Sequence, residues 1–215
     1  MYLYVRVHNR GEFMGHHVLL VFGFLGSGKT TFIIQLAECF ARYNKRAALI
    51  VNEVGEIGID NQYMKQLGYN VWEIFGGCIC CTLSSSLENT LEELEKNYNP
   101  DMIIIEPSGA AEPKTIYDTL VYAGLDQNKI HNFFVLDPTR IDMFEEILSP
   151  LLFSSLKLSD IVIINKLDLA DREAVGRCTQ HVNIHTIHNK FFLIERGNHF
   201  PVELESYILD LVDKG

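Results

Sequence analysis

The sequence predicts an α/β fold, a three-layer sandwich in which helices cover both faces of a mostly parallel, about seven-stranded sheet. Three observations carry this prediction. Seven short aliphatic or β-branched runs recur along 215 residues, most are separated by stretches with helical spacing, and 47% of the residues are hydrophobic, enough for a substantial core. Strands joined by helical crossovers run parallel and are covered on both faces, so function is expected at their carboxyl ends.

In chain order, Val18 to Phe22 is the first strong run, and Thr30 to Arg42 has the spacing of a helix that covers it. Ala47 to Val51 and Val71 to Phe75 read as the next two buried strands. A helix over Ser86 to Tyr98 leads to the strand Met102 to Ile105, and a further helix is expected over Pro113 to Ala123. Strands at Phe133 to Leu136 and Ile161 to Ile164, a helix over Arg172 to Ile187 and a strand at Phe191 to Ile194 complete the pattern. No stretch reads as a linker, repeat or low-complexity tract, so residues 18–215 are expected to form one domain. Residues 1–17 read either as a leader, with Met14 as the functional start, or as an added edge strand.

Charge narrows the partners. With 18 Lys and Arg against 28 Asp and Glu, the formal net charge is −10, and no basic patch offsets it. Such a chain repels phosphate backbones and anionic headgroups, so neither nucleic acid nor membrane is expected as a partner. Runs such as "VLLVF" and "MIII" are far short of the roughly 20 apolar residues that span a bilayer. The amino terminus lacks the apolar core and cleavage site of a secretory signal. Five cysteines, three of them crowded, do not suit a disulfide framework, and reduced thiols in a cytoplasmic setting are expected.

Directly after the first strand comes "GFLGSGKTT", which fits G-x-x-x-x-G-K-[ST] with Gly23, Gly28, Lys29 and Thr30. Backbone N–H groups from Gly26, Ser27 and Gly28 through Thr31 can curl around phosphate oxygens, Lys29 supplies a point charge, and the Thr30 hydroxyl can ligate Mg²⁺. The strand before and the helix after make the sandwich that of a P-loop NTPase. "NKLD", Asn165 to Asp168, follows the strand "DIVIIN". A carboxylate at Asp168 can accept from both N1–H and the exocyclic amine of guanine, a donor pair adenine lacks, so GTP is expected over ATP. Asn165 would brace the loop and Lys166 would lie along the base, with Glu195 to Gly197 as a weaker base-loop candidate.

"MIIIEPSG" puts Glu106 at the end of a buried strand, where it can hold a Mg²⁺-bound water or orient the attacking water, with Gly109 offering a backbone N–H to the γ-phosphate. "NEVGEIGID", Asn52 to Asp60, suits a switch loop. Cys78, Cys80 and Cys81 of "GGCICC" follow the strand "VWEIF". Thiolates at this spacing favour a soft or borderline transition metal, two thiolates plus an outside ligand being the expected set, with Glu53 or Glu56 as the oxygen donor. The bland alternative is three small buried hydrophobes.

Taken in order, "GFLGSGKTT", "NEVGEIGID", "GGCICCTL", "EPSGAAEP" and "NKLD" resemble the GTPase domain of the CobW/HypB/UreG family of metal-insertion GTPases, the C-x-C-C cluster being nearest to the CobW-type branch. The resemblance covers roughly Val18 to Asp213. It implies GTP hydrolysis coupled to delivery of Zn²⁺, Co²⁺ or Ni²⁺ to a client metalloprotein or cofactor-assembly enzyme. It also implies catalytic roles for Lys29, Glu106 and Glu53, a Mg²⁺ site at Thr30 and Glu106, guanine recognition by Asn165, Lys166 and Asp168, and a cargo site at Glu53, Cys80 and Cys81 with Cys78 nearby. Members often dimerise, and a homodimer is an expectation of the resemblance alone. Full-length CobW-type proteins carry a further C-terminal domain and often His-rich tracts, for which this sequence has no counterpart. Cys178, His181, His185 and His188 fall along one stripe of the expected helix, more in keeping with a polar helix face than with a second metal site. Rival readings are a P-loop kinase acting on a small molecule and a GTP-dependent sensor whose thiols respond to redox state or metal without delivery.

Overall fold

The computed structural model describes residues 16–51, 70–73, 90–107 apart from 92 and 95, and 112–213 apart from 189, 196 and 198. Seven strands are present among them: β1 (His17–Gly23), β2 (Ala47–Val51), β3 (Asn70–Glu73), β4 (Met102–Glu106), β5 (Ile130–Leu136), β6 (Ile161–Ile164) and β7 (Phe191–Leu193). They form one sheet in the order β3-β2-β4-β1-β5-β6-β7, and every neighbouring pair is parallel. The α/β expectation holds, and the sheet is parallel throughout these strands.

Helices are α1 (Lys29–Arg42), helical residues within 90–97 (α2), α3 (Pro113–Tyr122), α4 (Ile141–Ile147), α5 (Ser149–Leu158), α6 (Arg172–His185) and α7 (Val202–Asp213). Alternation along β1 divides the core. Leu19 and Val21 face a cluster with Phe32, Ile33, Leu36 and Phe40 of α1 and with Leu204 and Ile208 of α7. Val18, Leu20 and Phe22 face the other layer, which includes Leu94, Ile116, Leu120, Phe144, Leu152, Leu156 and Val182. Both faces of the central strands are therefore dry, and that is why their sequences are unbroken aliphatic runs. No helix among the described residues is long and apolar enough to cross a membrane.

Several boundaries differ from expectation. β1 begins at His17, β4 extends to Glu106, and β7 stops at Leu193. α4, α5 and α7 were not among the helices anticipated from spacing. α6 ends at His185 because Thr186 adopts an extended conformation, its hydroxyl donating to the Val182 carbonyl at 2.8 Å. At its other end Asp171 caps the helix, accepting from Ala174 N–H at 2.7 Å.

Candidate functional site

The site is built at the carboxyl ends of β1, β4, β5 and β6, where the sheet's two halves diverge from β1. Gly23 closes β1 against β5 so tightly that a Cβ there would lie 2.4 Å from the Val135 carbonyl oxygen. The chain then turns through Gly26 (φ +76°) and Gly28 (φ +96°) into α1. At Gly28 the positive φ strains any other residue, and a Cβ would sit 2.3 Å from Nδ2 of Asn165.

Four successive carbonyls of this loop each accept from a side-chain donor. Lys29 Nζ reaches Phe24 O at 3.3 Å, Arg140 reaches Leu25 O at 2.7 Å, Lys166 Nζ reaches Gly26 O at 2.5 Å, and Asn165 Nδ2 reaches Ser27 O at 3.0 Å. In trans peptides the N–H points opposite to the preceding carbonyl. The Gly26 and Gly28 amides are thus turned away from Arg140 and Asn165, the orientation an anion cradle needs. Ser27 is fully buried, and its hydroxyl has no hydrogen-bond partner among the described residues.

Across the loop, Thr30 Oγ1 donates to Glu106 Oε1 at 3.3 Å, which joins the start of α1 to the end of β4. Glu106 is itself nearly buried, 7% exposed. A hydroxyl and a carboxylate this close are hard oxygen donors of the type Mg²⁺ takes. On the other side, Asn165 is tied to β5 through its N–H to Leu136 O at 2.9 Å. Lys166 has the left-handed φ of +58°, and besides Gly26 O its ammonium meets Asp137 Oδ2 at 2.7 Å. Lys166 is thereby directed at the phosphate loop and β5. Asp168 stands exposed beyond it.

Asp137 and Arg140 were missed by sequence reasoning. A signal existed: Asp137 directly follows the buried strand β5, beside β1, as Glu106 ends β4. Glu53, Cys78, Cys80, Cys81 and Gly109 lie outside the described residues, as does the whole acidic loop from Asn52 to Asp60.

The Cys178, His181, His185 and His188 stripe does not assemble. Cys178 is buried, and burial pushes its thiol up to about 12, which keeps it protonated. His181 Nε2 meets Glu145 Oε1 at 2.5 Å, and the His185 ring stacks on Phe153 at 4.3 Å. His188 lies past the end of α6, 3.8 Å from Asp160. No cluster of three or more His, Cys, Asp or Glu arranged for a metal occurs among the described residues.

A glycine loop between a central parallel strand and a helix, with Lys-Thr at its end and an N-K-L-D turn bonded to it, defines a P-loop nucleotide-binding protein. More narrowly, the chain belongs to the CobW/HypB/UreG family, whose nucleotide-binding domain it matches over residues 17–192. Over 159 residues it is 37% identical to the zinc chaperone YeiR of Escherichia coli strain K12, covering 72% of this chain and 48% of that protein. Identity to the zinc-regulated GTPase metalloprotein activator 1 of Schizosaccharomyces pombe is 31% over 175 residues, 77% of this chain and 42% of that one. The chain spans about half the length of the curated relatives it matches.

Among solved structures, the hydrogenase maturation factor HypB from Archaeoglobus fulgidus superposes with a TM-score of 0.63 at 18% identity, covering 92% of this chain and 91% of that one. A Zn(II)-bound triple mutant of the YjiA GTPase gives 0.60 at 21% identity, with 89% and 61% covered. At these identities the likeness is one of fold.

Proposed function

We propose that this chain is the GTP-binding and GTP-hydrolysing part of a cytoplasmic metallochaperone that takes up a transition metal at its cysteine loop and couples nucleotide state to metal delivery. Family membership carries the reading. The hydrogen bonds that join the N-K-L-D turn to the glycine loop give it a physical basis, because base and phosphates would then be gripped by one connected unit. Several relatives are zinc chaperones by name, so Zn²⁺ is the first cargo to test, ahead of Co²⁺ and Ni²⁺.

In this reading the amides of residues 26–31 hold the phosphates and Lys29 leaves the Phe24 carbonyl to balance their charge. Thr30 and Glu106 would hold Mg²⁺, which supplies further neutralisation of the phosphate oxygens. Glu106 and Glu53 orient the attacking water, Gly109 offers its N–H to the γ-phosphate, and Asn165, Lys166 and Asp168 select guanine. Cys78, Cys80 and Cys81 with Glu53 take the cargo metal. Because Glu53 belongs to the acidic loop, metal and nucleotide affinities are reciprocally linked. The recipient is a client metalloprotein or cofactor-assembly enzyme, and the working assembly is a homodimer; nucleic acid and membrane have no part in it.

The test is a chelator-competition titration of Zn²⁺, Co²⁺ and Ni²⁺ on reduced protein, with Mg²⁺ and either GDP or a non-hydrolysable GTP analogue. Affinity should depend on nucleotide state and fall at least tenfold in the Cys80→Ser, Cys81→Ser double variant while GTP binding is retained. Metal affinity unchanged by the variant removes the cargo site, and affinity indifferent to nucleotide removes the coupling.

A further inference from the structure

The turn after β5, Asp137-Pro-Thr-Arg140, belongs to none of the motifs that mark the nucleotide site, yet it holds that site from two directions. Asp137 is a fully buried carboxylate. One oxygen, Oδ1, closes the turn by accepting from Thr139 N–H at 3.0 Å and Thr139 Oγ1 at 2.6 Å. The other, Oδ2, accepts from Lys166 Nζ at 2.7 Å. Lys166 passes the restraint to Gly26 O at 2.5 Å. Three residues on, Arg140 donates to Leu25 O at 2.7 Å, its guanidinium steadied over the Phe144 ring at 5.4 Å.

We infer that the 137–140 turn is a positioning element for nucleotide: Asp137 fixes Lys166 so that base loop and phosphate loop are locked together, and Arg140 fixes the phosphate loop directly. The inference rests on the nucleotide reading above. Two features separate it from a merely structural turn. Closing the turn uses Oδ1 alone and needs no charge, whereas the charge of Asp137 is met through Oδ2 by Lys166. A buried carboxylate without a cation is costly, so the pair is strongly held once formed. Lys166 also has a left-handed backbone that a non-glycine residue adopts reluctantly, and its side-chain contacts are what retain it.

Asp137→Asn is the discriminating change. The amide oxygen can still serve Thr139, but the amide N–H₂ then confronts the Lys166 ammonium, donor against donor. Losing a charge-assisted hydrogen bond and freeing the base loop weakens GTP roughly ten- to hundredfold. ATP, which does not use the Asp168 carboxylate, loses less, so the ratio of GTP to ATP affinity falls as well. Arg140→Met keeps an apolar contact over Phe144 but gives up the donor to Leu25 O. It should weaken both nucleotides several-fold and leave their ratio alone, since it touches only the phosphate loop. Thr139→Val perturbs the turn without touching Lys166 and should stay within about threefold of wild type.

The measurement is titration of fluorescently labelled GTP and ATP on the full chain with Mg²⁺, with thermal unfolding in parallel. Folded Asp137→Asn protein with wild-type GTP affinity and an unchanged GTP to ATP ratio overturns the inference. Should Asp137→Asn fail to fold, Arg140→Met decides, and wild-type affinity there overturns it equally. Wild-type protein that binds neither nucleotide sinks the functional reading instead, an outcome distinct from both.

Discussion

Replacing Gly28 by Ala tests whether the base loop and phosphate loop depend on one another. The added Cβ lands 2.3 Å from Nδ2 of Asn165, the atom that donates to Ser27 O at 3.0 Å. Contact at that distance is untenable, so Asn165 must swing away and its hydrogen bond is lost, at about 0.5–1.5 kcal/mol. Alanine at φ +96° adds about 1–2 kcal/mol of backbone strain. Together these amount to about 1.5–3.5 kcal/mol, or roughly 10- to 400-fold in nucleotide affinity if borne by the nucleotide-competent loop. The assay is equilibrium titration with GTP and GDP, with urea unfolding to apportion the loss between binding and folding. Affinity within about threefold of wild type, with wild-type stability, would refute the reasoning, because the loop could then relax without Asn165.

Three more outcomes are expected. His131 is held down to about 4 by burial and by the neighbouring His17, whose Nδ1 lies 2.9 Å from His131 Nε2. Its folded pKa is below the unfolded value, so this contribution to stability is present above about pH 6.5 and lost as pH falls towards 4. For a partly exposed ring the loss between pH 7 and pH 5 is about 1 kcal/mol after allowing for solvent screening. His131→Gln should flatten the pH dependence of urea unfolding by that amount, and an unaltered slope would count against it. Lys29→Ala should cut GTP hydrolysis at least about a hundredfold, read as phosphate release, and full turnover would remove Lys29 from the machinery. Asp168→Asn should lower GTP affinity and admit xanthine nucleotides, since an amide matches the 2-oxo group as the carboxylate matches the 2-amine; unchanged base preference in competition binding would dismiss that role.

What sequence made legible follows from what each residue touches. β1, β4 and β6 are buried on both faces, so "VLLVF", "MIII" and "IVII" announce themselves without a tertiary context. β7 is an edge strand with Leu193 42% exposed, and its carboxyl end was placed too far along accordingly. α4 and α5 follow each other with Leu148 alone between them, which blurs two short helical periods into one apolar tract. The glycine loop and N-K-L-D turn were readable because their chemistry is local. Asp137 was not, because Asp-Pro reads as a turn opener, and only the fold brings its carboxylate to Lys166, 29 positions away. His17 and His131 are 114 positions apart and meet only through the pairing of β1 with β5. Helical spacing also aligns Cys178, His181, His185 and His188, for which a polar helix face is the preferred reading over a metal site; in the fold Cys178 is buried, His181 meets Glu145 and stacks on His185, and His188 lies past the helix end.

The glycine loop explains why so many donors converge from elsewhere. A segment with left-handed φ at Gly26 and Gly28 cannot satisfy its carbonyls in a ladder, and each ordered residue costs about 1–2 kcal/mol of backbone entropy. Donors from α1, from the 137–140 turn and from the turn after β6 supply what the loop lacks, and each is anchored in the buried sheet or its covering helices. The ordering cost is therefore met in folding and is not charged again to ligand binding. Apart from Lys29, whose ammonium leaves the Phe24 carbonyl for the phosphates, such a loop should change little when nucleotide enters. A conformational response to nucleotide must then arise outside it.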